Sequence, residues 1–156
     1  MRTKAVRLYG KGDLRLESFD LPALQDGEIL ARIVSDSICM SSYKAALQGA
    51  DHKRVPSDVA VRPVVIGHEF CGEILEVTPN WAGQFRPGDR FSIQPALNDP
   101  ANVHAAPGYT FPYIGGAATH IVIPDIVMSR GCLLRYGGDA FFHGSLAEPM
   151  SCIIGG

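Results

Sequence analysis

Along much of this chain apolar and polar positions alternate with a period of two, the pattern of strands with one covered face. Lys4 to Tyr9 sets Ala5, Arg7 and Tyr9 on one face and Val6 and Leu8 on the other. Asp13 to Phe19 alternates as well, which predicts Leu14, Leu16 and Ser18 inward and Arg15 and Glu17 outward. Gly10-Lys11-Gly12 between them supplies a hairpin turn. Glu28 to Ser35 reads as a third strand, with Ile29, Ala31 and Ile33 in phase. Phe70 to Val77, Asp89 to Gln94 and Ala117 to Ile123 read as three more; Pro87-Gly88-Asp89 opens the second of these and Pro124 ends the last.

Helical signal is sparse. Ser41-Ser42 is placed to cap a short helix running to about Leu47 and stopped by Gly49. A second helix is expected to begin near Glu148-Pro149, because a proline in the first turn lacks only a donor that would be orphaned anyway. Pro95 to Pro112, rich in Pro, Asn and Ala, reads as a long loop. Many short strands between turn residues predict a mainly β barrel or sandwich with a few short helices.

The 156 residues suffice for one domain with a real core, and 46% hydrophobic with 19% charged residues is ordinary for a globular protein. A net charge of -2 gives no electrostatic case for nucleic acid or a membrane surface. No apolar run approaches the length of a membrane span, and Met1-Arg2-Thr3-Lys4 has no apolar segment behind it, so the expected location is cytoplasmic. The four cysteines, Cys39, Cys71, Cys132 and Cys152, show no close pairing and read as reduced thiols.

The candidate chemistry lies in Gly67-His68-Glu69-Phe70-Cys71-Gly72, taken with Cys39 before it and Glu148-Pro149 after it. A thiol, an imidazole and a carboxylate far apart in sequence can form one site only in the folded chain. Catalytic zinc takes three such protein ligands and keeps a position open, and mixed S/N/O donors favour zinc over magnesium or calcium. Singly, each residue has a plainer reading. Cys39 is a small buried hydrophobe, His68 a hydrogen-bonded partner of Glu69, and Glu148 a carboxylate at the positive end of a helix.

Val65 to Gly72 closely resembles the zinc signature of the medium-chain alcohol and polyol dehydrogenases. Ser37-Ile38-Cys39-Met40-Ser41-Ser42 is similar to that family's first ligand loop, and Arg86-Pro87-Gly88-Asp89-Arg90 to the strand entry downstream of the signature. Leu146-Ala147-Glu148-Pro149-Met150-Ser151-Cys152 resembles the polyol branch, where Glu-Pro replaces a cysteine. Lys4 to Gly10 and Pro107 to Pro112 resemble the L-sorbose 1-phosphate reductase group.

The resemblance implies a GroES-like, partly open β-barrel over residues 1–148, incomplete as a catalytic domain. Residues 149–156 would start a helix leading to a Rossmann domain absent from this chain. It implies Cys39, His68 and Glu148 as zinc ligands, with zinc polarising a substrate carbonyl and NAD(H) or NADP(H) supplying hydride. Glu69 is implied as a ligand, a partner through water, or a carboxylate behind the ligands, and Ser41 as a proton-relaying hydroxyl. The substrate expected is a sugar phosphate or polyol, and the complete enzyme is expected to be a homo-oligomer.

Two departures bear on that expectation. Ser42 stands where many relatives carry Asp, and Lys44 where many carry a relay His. Lys44, with His52-Lys53-Arg54 nearby, is expected to favour a phosphorylated sugar, although a solvated basic loop is the plainer reading of those three. The loop from Pro95 to Pro112 occupies the place of the family's structural zinc lobe and holds no cysteine; Tyr109, Phe111 and Tyr113 read either as lining the substrate cleft or, the plainer reading, as packing beneath it.

No Gly-x-Gly-x-x-Gly follows a strand; Gly115-Gly116 and Gly155-Gly156 are isolated pairs. The chain therefore reads as the amino-terminal portion of an enzyme, inactive alone. The alternatives are a sorbitol- or threonine-type dehydrogenase with an unphosphorylated substrate, and a free-standing GroES-like binding or assembly domain.

Overall fold

Residues 1–155 are described by the computed structural model; Gly156, the end of the helix lead expected over 149–156, lies outside them. Eight strands and three helices succeed one another as β1 (Arg2–Gly10), β2 (Asp13–Asp20), β3 (Ile29–Asp36), α1 (Met40–Gln48), β4 (Val64–Val65), β5 (Phe70–Val77), β6 (Arg90–Ile93), β7 (His120–Ile123), α2 (Asp125–Ser129), β8 (Leu133–Arg135) and α3 (Phe142–Gly155). They form a three-stranded sheet, β2-β1-β4, and a five-stranded sheet, β7-β3-β5-β6-β8, with every pairing antiparallel.

The segment read from sequence as one strand over 117–123 divides its allegiance. Ala118 bridges Ala5, and the Val6 N–H donates to Ala117 O at 2.8 Å, while His120–Ile123 pairs with β3. One short run of chain thus stitches the two sheets into the mainly β, partly open barrel that the sequence resemblance implies. The interior holds Ile29, Ala31, Phe70, Ile74, Phe91, Ile121 and Ile123. A second cluster packs α1 and the segment after it onto β1 through Leu8, Ala45, Ala46, Val55, Val59 and Tyr109.

Three expectations are corrected. On β2, Leu14 and Leu16 face outward, 44% and 64% exposed, and Glu17 and Phe19 turn inward. Periodicity shows which residues share a face, and what covers that face is decided elsewhere. Here α1 packs over β1 rather than β2. On the opposite face the Tyr9 hydroxyl donates to Glu17 at 2.8 Å, and the Arg7 guanidinium lies 4.4 Å from the Phe19 ring centroid.

The second correction concerns α1. Its N-cap is Cys39 rather than Ser41 or Ser42, and no side chain caps it.

The third concerns α3, which starts at Phe142, so that Pro149 stands inside it. An interior proline leaves the carbonyl four residues back without its helical donor. That carbonyl belongs to Ser145, and the Ser37 hydroxyl donates to it at 3.0 Å. Ser92 Oγ donates to Gly144 O at 2.7 Å, and the Ser35 and Ser145 hydroxyls meet at 2.8 Å. Serines from β3, its exit loop and β6 thereby hold the helix on the sheet despite its proline.

Candidate metal centre

The antiparallel pairing of β3 with β5 builds the site. β3 leaves the sheet at Asp36, opposite Phe70 where β5 enters. Cys39, just past one strand end, and His68-Glu69, just before the other, therefore emerge on the same edge. The Ser37 N–H donates to Glu69 O at 2.9 Å and extends the ladder by one step. A register shift between Ile33 and Ser35 precedes this exit, the kind of irregularity that bends a strand and re-aims the residues beyond it.

Two glycines shape the turn that carries His68. Gly67 has φ +93, and a Cβ there would meet the Asp36 carboxylate at 2.6 Å. Gly108, with φ +76, lies so close behind it that a Cβ would overlap Gly67 O. This back-to-back contact brings Tyr109 against the His68 ring, with centroids 4.8 Å apart.

One donor atom from each of Cys39, His68 and Glu69 lies within 4.8 Å of the others. His68 and Glu69 are buried, Cys39 is half-buried, and His68 Nε2 lies 4.0 Å from Glu69 Oε1. His68 Nδ1 meets Ser42 Oγ at 3.2 Å. In the tautomer protonated at Nδ1, His68 donates to Ser42 and leaves the Nε2 lone pair toward the other donors. Burial, reinforced by the Arg54 charge against the opposing pull of Glu148, lowers the His68 pKa and keeps the imidazole neutral, the form that ligates. A thiol, a neutral imidazole and a carboxylate at this spacing suit zinc.

Glu148 stands on α3 at the same cavity but outside that group of three. Burial, with the Glu69 carboxylate beside it, raises its pKa; Cys152, one turn on, donates its S–H to Glu148 Oε1 at 3.4 Å. Ser41 also lines the cavity, and the Cys39 thiol donates to Ser41 Oγ at 3.4 Å. Behind the donors, Asp36 has its pKa raised to about 7 by burial and by the Glu69 charge. Its Oδ1 is buried without a hydrogen-bond partner.

The cavity on which Ser41, His68 and Glu148 border measures about 380 Å³ and is also lined by Lys44, His52, Lys53, Arg54 and Tyr109. Tyr109 corrects the reading that it packs beneath the cleft. It is only 4% exposed, yet its hydroxyl reaches 3.4 Å from His68 Nε2. Burial pushes its phenol pKa up to about 12, so it remains a neutral hydrogen-bonding group. The role that sequence reasoning missed is that of the histidine-orienting Ser42, whose available signal was its place three residues after Cys39.

Known proteins resemble this chain in sequence and in fold. The profile of the alcohol dehydrogenase GroES-like domain matches residues 25–130. The chain is 62% identical over 153 residues to L-sorbose 1-phosphate reductase of Klebsiella pneumoniae, covering 98% of this chain and 37% of that protein. It is 46% identical over 154 residues to mannitol-1-phosphate 5-dehydrogenase of Aliivibrio fischeri, covering 99% of this chain and 36% of that protein. The chain thus spans little more than a third of these relatives' length. A Sinorhizobium meliloti structure, described as that of a putative zinc-binding dehydrogenase bound to NADP, superposes with a TM-score of 0.75 at 23% identity. That match covers 99% of this chain and 44% of the other.

Proposed function

This chain belongs to the alcohol dehydrogenase GroES-like domain family, and on that premise we propose that residues 1–148 are the catalytic-domain portion of a zinc-dependent, NAD(P)-linked oxidoreductase. In this reading residues 149–156 lead toward a nucleotide-binding domain, and the complete enzyme interconverts a ketose phosphate and a polyol phosphate. The observation that carries it is the thiol, imidazole and carboxylate of Cys39, His68 and Glu69 within 4.8 Å, with His68 on the wall of a cavity. The phosphorylated substrate is supported by the two sugar-phosphate enzymes to which the chain is similar.

Cys39, His68 and Glu148 would hold zinc, with Glu69 beside them as an exchangeable or supporting carboxylate. Zinc held there supplies Lewis acidity toward a carbonyl oxygen, and a nicotinamide supplies hydride. The remaining work falls to the chain itself. Ser42 fixes the His68 ring, and Ser41 Oγ, exposed to the cavity, can accept and donate at once and so pass a proton toward solvent. Tyr109 lines the wall beside His68, its hydroxyl 3.4 Å from Nε2.

The test is metal analysis beside turnover. The complete enzyme should bind one zinc at this site, and Cys39→Ser and His68→Ala should remove it together with NAD(P)H-dependent reduction of ketose phosphates. Full turnover without metal at this site would refute the reading. A metal-free fold without turnover would favour a binding or assembly domain.

A further inference from the structure

We propose that Arg54, backed by Tyr109 and flanked by Lys44 and Lys53, is the anchor for the substrate's phosphate in the cavity that His68 and Glu148 also line. The inference rests on the sugar-phosphate reading above and assigns the recognition to a particular group. Three cationic side chains line one cavity with His68 and Glu148. Among the described residues none of the three forms an ion pair, whereas the neighbouring Lys11 and Arg62 lie within 3.9 Å and 3.7 Å of Asp51 and Asp58. Cations left uncompensated around a concave site attract an anion from solution.

Arg54 differs from a solvated surface arginine in how it is held. It is half-buried, and its guanidinium lies 5.6 Å from the Tyr109 ring centroid. The His52 ring stacks on the same tyrosine, centroids 5.6 Å apart and 8° from parallel. The Arg54 N–H donates to His52 Nδ1 at 3.3 Å, and the Thr110 hydroxyl donates to Arg54 O at 2.8 Å. Backbone and side chain are thus fixed before a ligand arrives, which reduces the ordering cost of binding. A planar guanidinium also offers the paired N–H donors that match phosphate oxygens.

Inorganic phosphate is the probe, titrated calorimetrically into the complete, zinc-loaded enzyme, with zinc content measured on the same samples. Arg54→Gln should weaken phosphate binding roughly 10- to 100-fold with zinc retained, and Arg54→Lys should recover part of the loss. The preference for a sugar phosphate over the free sugar should fall by a similar factor. Lys44→Gln and Lys53→Gln, at exposed positions that cannot disturb the core, should each cost roughly threefold and serve if Arg54→Gln misfolds. Absence of phosphate binding, or equal binding by all variants, would overturn the assignment while leaving the zinc reading intact. Arg54-dependent phosphate binding without turnover of any sugar phosphate would support the anchor and sink the proposed reaction.

Discussion

Ser42 touches the Nδ1 edge of His68 at 3.2 Å, and nothing in its sequence context announces that contact. A hydroxyl behind a metal-binding imidazole fixes the ring and its tautomer, and loss of such a partner typically costs 10- to 100-fold in metal affinity. Ser42→Ala should therefore weaken zinc binding about tenfold in competition with a chromophoric chelator; an unchanged affinity would leave the ring oriented by packing alone. Asp36 makes a second prediction at this scale. Its folded pKa of about 7 stands above the ordinary 3.8, so between those values the folded state keeps a proton that the unfolded state has released. Stability of the metal-free protein should fall as pH rises from about 4 to about 7 and then level off. Asp36→Asn should flatten that slope in urea titrations and raise stability at pH 8 by at least about 1 kcal/mol. Cys39, His68 and Glu69 were legible because their chemistry is written in residue type. The orienting role of Ser42 was not, because a serine becomes a site residue only through tertiary approach.

The helix α3 shows the same limit for a whole element. Read locally, Pro149 marks a helix start; in the fold it stands in the interior, and the Ser145 carbonyl that it leaves without a donor is taken by Ser37. Ser37→Ala should cost about 1–2 kcal/mol in urea unfolding, since it strands a carbonyl in a buried residue. In a Pro149→Ala background the loss should shrink, because the helix then supplies its own donor. Additive losses in that double-mutant cycle would mean that the serine does not compensate for the proline. β3 was readable in extent and phase because Ile29, Ala31 and Ile33 alternate along it, and β5 in extent. β4 and β8, at two and three residues, are too short to show a period. β2 was placed correctly but faced the wrong way, since Leu14 and Leu16 share the face on which α1 covers Leu8 of β1 yet are themselves left exposed.

Over the whole molecule the two sheets are joined by residues 117–123, and the metal donors sit where β3 and β5 meet the loops around them. A metal there would tie α1's first residues to the strand entry at His68, so its free energy of binding adds to that of folding. Chelation of the zinc-loaded protein should lower Tm by several degrees, and Cys39→Ser should remove most of the difference between chelated and loaded samples. Equal Tm values in wild type would mean that the site forms without sharing in the fold's stability. The barrel class was legible from strand spacing, whereas the division of one predicted strand between two sheets was not, because either pairing suits the same alternation. The support of the cavity also has a consequence for how such an enzyme can diversify. Its donors stand on the ends of paired strands and on α3, while Lys53 and Arg54 stand on the connection between α1 and β4. Grafting that connection from a relative with a different appetite would exchange the substrate's address while leaving the reactive chemistry in place.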